Sequence, residues 1–99
     1  MEIRKIHEDE ASLEISIEGR LDTMTAPELE NFLKKELGER KKLDLDLQNL
    51  EYISSAGLRV ILSAQKVMNR QGSMELHNVR EEVMDVFEIT GFVDILTIR

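Results

Sequence analysis

The segment Tyr52-Ile53-Ser54-Ser55-Ala56-Gly57-Leu58 carries the residue types in this sequence that most invite chemistry. Two hydroxyls, a small residue and a glycine stand between a strand-like stretch and a long apolar helix. Either serine can cap that helix by accepting a backbone N–H bond, worth about 1 kcal/mol, while Ala56 and Gly57 allow close packing. The same position suits a phosphate, because the free N–H groups and positive dipole end of a helix receive an anion. An exposed serine there is therefore a candidate phosphorylation switch. The two roles are compatible, and spacing alone leaves both open.

Other reactive groups are sparse. Asp44 and Asp46 occupy alternate positions of a strand and so share a face, where paired carboxylates could serve a metal or acid–base chemistry. The plainer reading is the solvated face of that strand. His7 and His77 lie far apart, and neither has a second ligand or base at useful spacing, so both read as structural or surface residues and no metal site is expected. The absence of cysteine excludes thiolate nucleophiles and zinc–thiolate sites together. No Gly-x-Ser-x-Gly elbow, P-loop or dinucleotide fingerprint is present, and neither serine has an evident histidine partner. No catalytic residue and no cofactor are expected. Met24, Met68, Met74 and Met84, with the initiator, sit at apolar positions and read as core filler.

The elements that position these residues belong to a short chain. Its 99 residues suffice for one hydrophobic core, so a single domain over 1–99 is expected. An apolar share of 41% and a charged share of 33% are those of an ordinary folded domain. Twenty acidic against 13 basic residues give a net charge of −7, the wrong sign for gripping nucleic-acid phosphates or an anionic membrane. No apolar run approaches the roughly 18 residues of a spanning helix. The start Met-Glu-Ile-Arg-Lys-Ile has no secretory apolar stretch, so a cytoplasmic location is expected.

Alternation of Leu13, Ile15 and Ile17 with Ser12, Glu14, Ser16 and Glu18 predicts a strand over 12–18. An earlier strand over 3–7 would form a hairpin with it around Glu8-Asp9-Glu10, and Gly19 would end the second strand. Thr25-Ala26-Pro27-Glu28 has capping-box spacing, and Leu29, Phe32, Leu33 and Leu37 recur at helical intervals until Gly38. Leu43, Leu45 and Leu47 predict a third strand, and Leu50 and Ile53 continue the apolar signal through a polar connection. From Ala56 to Gln71 the apolar residues, including Val60, Ala64 and Val67, cover more than one stripe, which predicts a deeply buried central helix. Met74–Val79 then reads as a strand and Arg80–Thr90 as a third helix. Gly91-Phe92 reads as a cap that folds Phe92 back on Phe87, and Phe92–Ile98 as an edge strand. The order β-β-α-β-α-β-α-β predicts an α/β fold, a mixed sheet of four to five strands with three main helices.

Gly19-Arg20-Leu21-Asp22, Thr25-Ala26, Leu45, Leu47 and Leu50, Ile53-Ser54-Ser55-Ala56-Gly57-Leu58, Val60-Ile61-Leu62 and Gly91-Phe92 form an ordered set spanning nearly the whole chain. Together they resemble the STAS domain of bacterial anti-sigma factor antagonists. The resemblance implies no catalytic activity and, as partner, an anti-sigma factor with ATP-dependent serine kinase activity. That kinase would phosphorylate a serine at the start of the central helix. In the family the unmodified form binds the kinase and frees the sigma factor, and the phosphorylated form lets go. The expected antagonist is a monomer when free, with no direct contact to nucleic acid or membrane.

The family's usual run is Asp-Ser-Ser/Thr-Gly. Overlaid on Gly57-Leu58 without a gap, it puts Ser54 at the Asp position and Ala56 at the acceptor position. Ser55 is then the expected phosphorylation site, with Ser54 the alternative. Asp22 matches the family's acidic residue in the loop after the second strand, and with Thr23, Ser54, Ala56, Gly57 and Arg59 forms the expected partner surface. Arg59 stands where the family commonly has a small residue. Four positions after Ser55, it either reaches a phosphate there or lies on the solvent face of the helix.

Overall fold

The computed structural model describes residues 1–99. Strand β1 (Glu2–Glu8) and strand β2 (Ser12–Leu21) form the expected antiparallel hairpin. Asp9 closes its turn, accepting from the backbone N–H groups of Ala11 and Ser12, each at 2.8 Å. Helix α1 (Ala26–Glu36) follows, then β3 (Lys42–Asp46), β4 (Leu50–Ile53), helix α2 (Ser55–Gln71), β5 (Ser73–His77) and helix α3 (Glu81–Thr90).

Five strands form one mixed sheet in the order β1-β2-β3-β5, with β4 also paired to β2. The parallel registers align Leu13 and Ile15 of β2 with Leu43 and Leu45 of β3, and these with Met74 and Leu76 of β5. All six are buried, because period-2 alternation turns them to one face, which the helices cover. Leu29 and Leu33 of α1, Leu58, Ile61 and Met68 of α2, and Val83 and Phe87 of α3 complete a single core of 23 buried side chains. Glu14, Asp44, Asp46, Glu75 and His77 alternate with the core residues and therefore stand on the opposite, open face.

Four details differ from the sequence reading. Gly19 does not end β2. It takes φ +92°, in the left-handed region open to glycine, where β2 has run past its pairing with β3 and starts to pair with β4: Gly19 stands opposite Leu50, and one extra residue of β4, Glu51, then shifts the register. The fifth strand is thus β4, whose four residues are too short to show a period. The C-terminal segment forms no strand: Phe92–Asp94 curls into a 3₁₀ turn, and the Phe92 carbonyl accepts from Ile95 and Leu96. Only Ile98 bridges β5, flanked by bonds from Leu76 N–H to the Thr97 carbonyl and from Arg99 N–H to the Leu76 carbonyl, both 2.9 Å. The capping box at Thr25 is also absent, since Thr25 makes no side-chain bond to the first turn of α1. Finally, Val67 is 37% exposed beside α1 rather than buried.

Candidate functional site

The strands β2 and β4 end side by side, with Leu21 opposite Ile53, and both release their chains toward helices. The Leu21 carbonyl accepts from the Ser54 N–H at 2.9 Å, which fastens the two exits together. Asp22-Thr23 and Ser54-Ser55 are therefore neighbours, although some thirty residues of chain separate them.

Ser54 is the N-cap of α2. Its backbone is extended, with φ −96° and ψ 175°, and its Oγ accepts from the Gly57 N–H at 3.2 Å. Ser55 is the first helical residue; it is exposed, and its hydroxyl has no hydrogen-bond partner within the chain. The two serines thus differ: the Ser54 hydroxyl is tied to the helix, and the Ser55 hydroxyl is free. Gly57 is buried against the sheet. A Cβ there would lie 2.7 Å from Leu21 Cγ, 2.9 Å from the Leu21 carbonyl oxygen and 3.0 Å from Ile53 Cγ1. Its role is to let the helix approach the strands, so it presents no surface of its own. Ala56 is half-buried and Arg59 exposed, and both line a cleft between α1 and α2 together with Thr23, Pro27 and Ser63. Arg59 takes part in no ion pair within the chain.

On the neighbouring exit, Asp22 Oδ1 accepts from the Met24 and Thr25 N–H groups, both at 3.0 Å, and lies 3.2 Å from Thr25 Oγ1. The Thr25 N–H bond is the main cause that holds the Asp22 carboxyl below its usual range; its other hydrogen bonds and the Arg20 charge act in the same sense, and partial desolvation opposes them. The Thr25 hydroxyl donates to the Arg20 carbonyl at 2.8 Å and accepts from the Asp22 N–H at 2.8 Å. That geometry explains the missing cap: the hydroxyl is committed to the preceding turn.

Two features of this end were not evident from the sequence. Met24 is 84% exposed rather than core filler, because the tight Asp22–Thr25 turn directs it outward. Its position between two threonines just after a strand was the available signal. The Arg20 guanidinium lies 4.2 Å from the centre of the Tyr52 ring, so the penultimate residues of β2 and β4 stack across the pair. The site therefore offers a free hydroxyl at a helix start, a free guanidinium one turn along, and a rim of Met24, Tyr52 and Arg20. No side chain is hydrogen-bonded to the Ser55 hydroxyl.

Residues 5–97 match the family model described as the MlaB-type STAS domain. BtrV of Bordetella bronchiseptica, named as an anti-sigma factor antagonist, is 40% identical over 85 residues, covering 83% of this chain and 72% of that protein. The anti-sigma-B factor antagonist of Bacillus subtilis is 31% identical over 94 residues, covering 94% of this chain and 86% of its own. The fold is shared with the anti-sigma factor antagonist SpoIIAA in its unphosphorylated form, with a TM-score of 0.83 at 15% identity over 99% of this chain and 88% of that one. The phosphorylated form of SpoIIAA aligns with a TM-score of 0.75, over 99% and 91% of the two chains at 15% identity. The chain belongs to the STAS-domain family of anti-sigma factor antagonists.

Proposed function

We propose that this chain is the antagonist in a cytoplasmic partner switch. Unmodified, it binds an anti-sigma factor that is also an ATP-dependent serine kinase; phosphorylated on Ser55, it is released. The observation that carries this reading is the unengaged, exposed Ser55 hydroxyl at the first position of α2, beside a Ser54 hydroxyl already committed to capping. A kinase needs a hydroxyl that can leave its surroundings without a structural cost, and Ser55 meets that condition better than Ser54. The partner surface consists of Asp22, Thr23, Ala56 and Arg59 around the serines, with Gly57 beneath them setting the height of the helix.

A phosphate adds about −1.5 to −2 charges and three acceptor oxygens. The first N–H groups of α2 can receive them, whereas an acidic or apolar partner surface cannot. The modification therefore changes binding much more than it changes the fold. With the serine-kinase anti-sigma factor of the same organism and ATP, intact-mass spectrometry is expected to show one added phosphoryl group, lost in Ser55→Ala and retained in Ser54→Ala. Ser55→Ala is expected to unfold within about 0.5 kcal/mol of wild type, since an exposed side chain without partners is removed. Ser55→Asp is expected to weaken kinase binding with an unchanged circular dichroism spectrum. A label that survives Ser55→Ala and vanishes in Ser54→Ala overturns the assignment.

A second reading rests on Ala56, which puts a methyl group where the family's usual run, laid over Gly57, has a serine or threonine. In that reading the chain is a scaffold or adaptor subunit of a stressosome or transport complex and is never phosphorylated. An absence of label on the wild-type chain, with binding to a complex that lacks a kinase, would establish it.

A further inference from the structure

On the open face of the sheet, away from the helices, the register of β3 and β5 gathers three groups that the sequence keeps apart. Asp44 is aligned with Glu75, and Asp46 with His77. His77 Nε2 lies 3.1 Å from Asp44 Oδ1 and 3.4 Å from Glu75 Oε1, and the three donor atoms all fall within 4.8 Å of one another. The side chains are held rather than free, with relative exposures of 15% for Asp44, 23% for Glu75 and 34% for His77. The sequence reading found no second ligand for His77 because both carboxylates reach it only through the parallel pairing of two strands.

Hydrogen bonding alone accounts poorly for this arrangement. A ring nitrogen carries one proton, which can point well at one carboxylate and not at two. Two carboxylates directly opposed across neighbouring strands repel each other unless something positive lies between them. Glu14, in register with Asp44, and Asp46 add two more negative charges to the same face. The lysine and arginine nearby each pair at long range with one carboxylate and bridge none: Lys42 Nζ is 3.9 Å from Asp44 Oδ2, and Arg99 Nε is 3.7 Å from Glu75 Oε1. Asn78 donates to Asp46 Oδ1 at 3.2 Å, which leaves Asp46 out of the cluster.

We propose that Asp44, Glu75 and His77 form a binding site for a divalent transition-metal ion of the zinc class. An ion bonded to imidazole nitrogen and carboxylate oxygen at about 2.0–2.2 Å in tetrahedral geometry separates its ligand atoms by about 3.3–3.6 Å. The two distances from His77 Nε2 are already close to that edge. The imidazole selects zinc, cobalt or nickel over magnesium and calcium, which prefer all-oxygen sets. Water fills the remaining position on the solvent side. The ion clamps β3 to β5 on a face that the switch end does not use.

Isothermal titration of the full chain with zinc chloride at neutral pH is expected to show one ion at micromolar affinity, with no heat from magnesium chloride. Zinc is also expected to raise the melting temperature, because it binds only the folded register. His77→Ala and Asp44→Asn should each weaken binding by about tenfold or more. His7→Ala should leave it unchanged, which separates this site from the other histidine. Should His77→Ala fail to fold, Glu75→Gln provides the same test, and amide chemical shifts that move on zinc addition should be confined to 42–46 and 73–78. No zinc binding by the wild-type chain, or binding undiminished by loss of a ligand, overturns the proposal.

Discussion

Helices α1 and α2 start at neighbouring points of the same sheet, each after a hydroxyl residue, and use that hydroxyl in opposite directions. Ser54 looks forward: its Oγ accepts from Gly57 and closes the first turn of α2. Thr25 looks backward: its Oγ1 donates to the Arg20 carbonyl and accepts from the Asp22 N–H. The first turn of α1 is instead started by backbone bonds, from the Ala26 N–H to the Asp22 carbonyl at 2.8 Å and from the Glu28 N–H to the Thr25 carbonyl at 2.9 Å. The difference lies in the approach of the chain. Ser54 follows Ile53 without a turn and has the extended backbone of an N-cap, whereas Thr25 closes a tight turn at φ −101°, ψ −19°. One exit is consequently locked by a network around Asp22, and the other leaves Ser55 unengaged beside it.

The contrast is broken most strongly at Gly57. Alanine is favoured over glycine in a helix by about 1 kcal/mol. Here the added methyl meets Leu21 and Ile53, two of its contacts being under 3.0 Å and one of these a backbone oxygen. Gly57→Ala is expected to cost a net 1–3 kcal/mol, roughly, and Gly57→Val more, measured as a lower urea midpoint at unchanged slope. An unchanged midpoint would mean that α2 does not sit tightly on the strand ends.

Next in size is the direction of the two hydroxyls. Loss of either, in Ser54→Ala or Thr25→Ala, is expected to cost about 1 kcal/mol. Aspartate should tell them apart in the same unfolding measurement. Ser54→Asp retains a cap acceptor and should stay near wild-type stability, while Thr25→Asp cannot donate to the Arg20 carbonyl and should remain destabilised. Thr25→Ser should restore what Thr25→Ala loses. Equal stability of Thr25→Asp and wild type would show that Thr25 acts as an ordinary cap.

The smallest effect is a pH dependence confined to the locked exit. The folded-state pKa of Asp22 lies below the ordinary 3.8, mainly through the Thr25 N–H bond. A depressed carboxylate stabilises the fold above the unfolded pKa, and this contribution is lost as pH falls through the folded value. Melting temperatures of wild type and Asp22→Asn should therefore differ at pH 7, with wild type higher, and converge as pH falls below about 4. Asp9 and Glu36, which are depressed as well, are common to both proteins and cancel in the comparison. A gap that persists in acid would assign the effect to the asparagine side chain rather than to charge.

The sequence by itself determined the fold class and the place where α2 starts. Period-2 and period-3.6 apolar patterns are local properties, so Leu13, Ile15 and Ile17, Leu43 and Leu45, and the stripes of α1 and α2 were legible without a neighbour. A short hydroxyl–small–glycine run before an apolar helix marked the start of α2 for the same reason. Only the tertiary structure decided what depends on a partner distant in the chain. Strand β4 exists because the end of β2, Gly19 to Leu21, runs past β3 and pairs with it, and the Phe92–Ile98 segment forgoes a strand because its first residues close a 3₁₀ turn and leave only Ile98 to bridge β5. Which of Ser54 and Ser55 caps α2 followed from which hydroxyl the Gly57 N–H meets, and the backward bond of Thr25 from the turn that Asp22 imposes. The meeting of Asp44, Glu75 and His77 required the β3–β5 register, which a pattern within either strand does not contain, because pairing registers are fixed by burial of the opposite face.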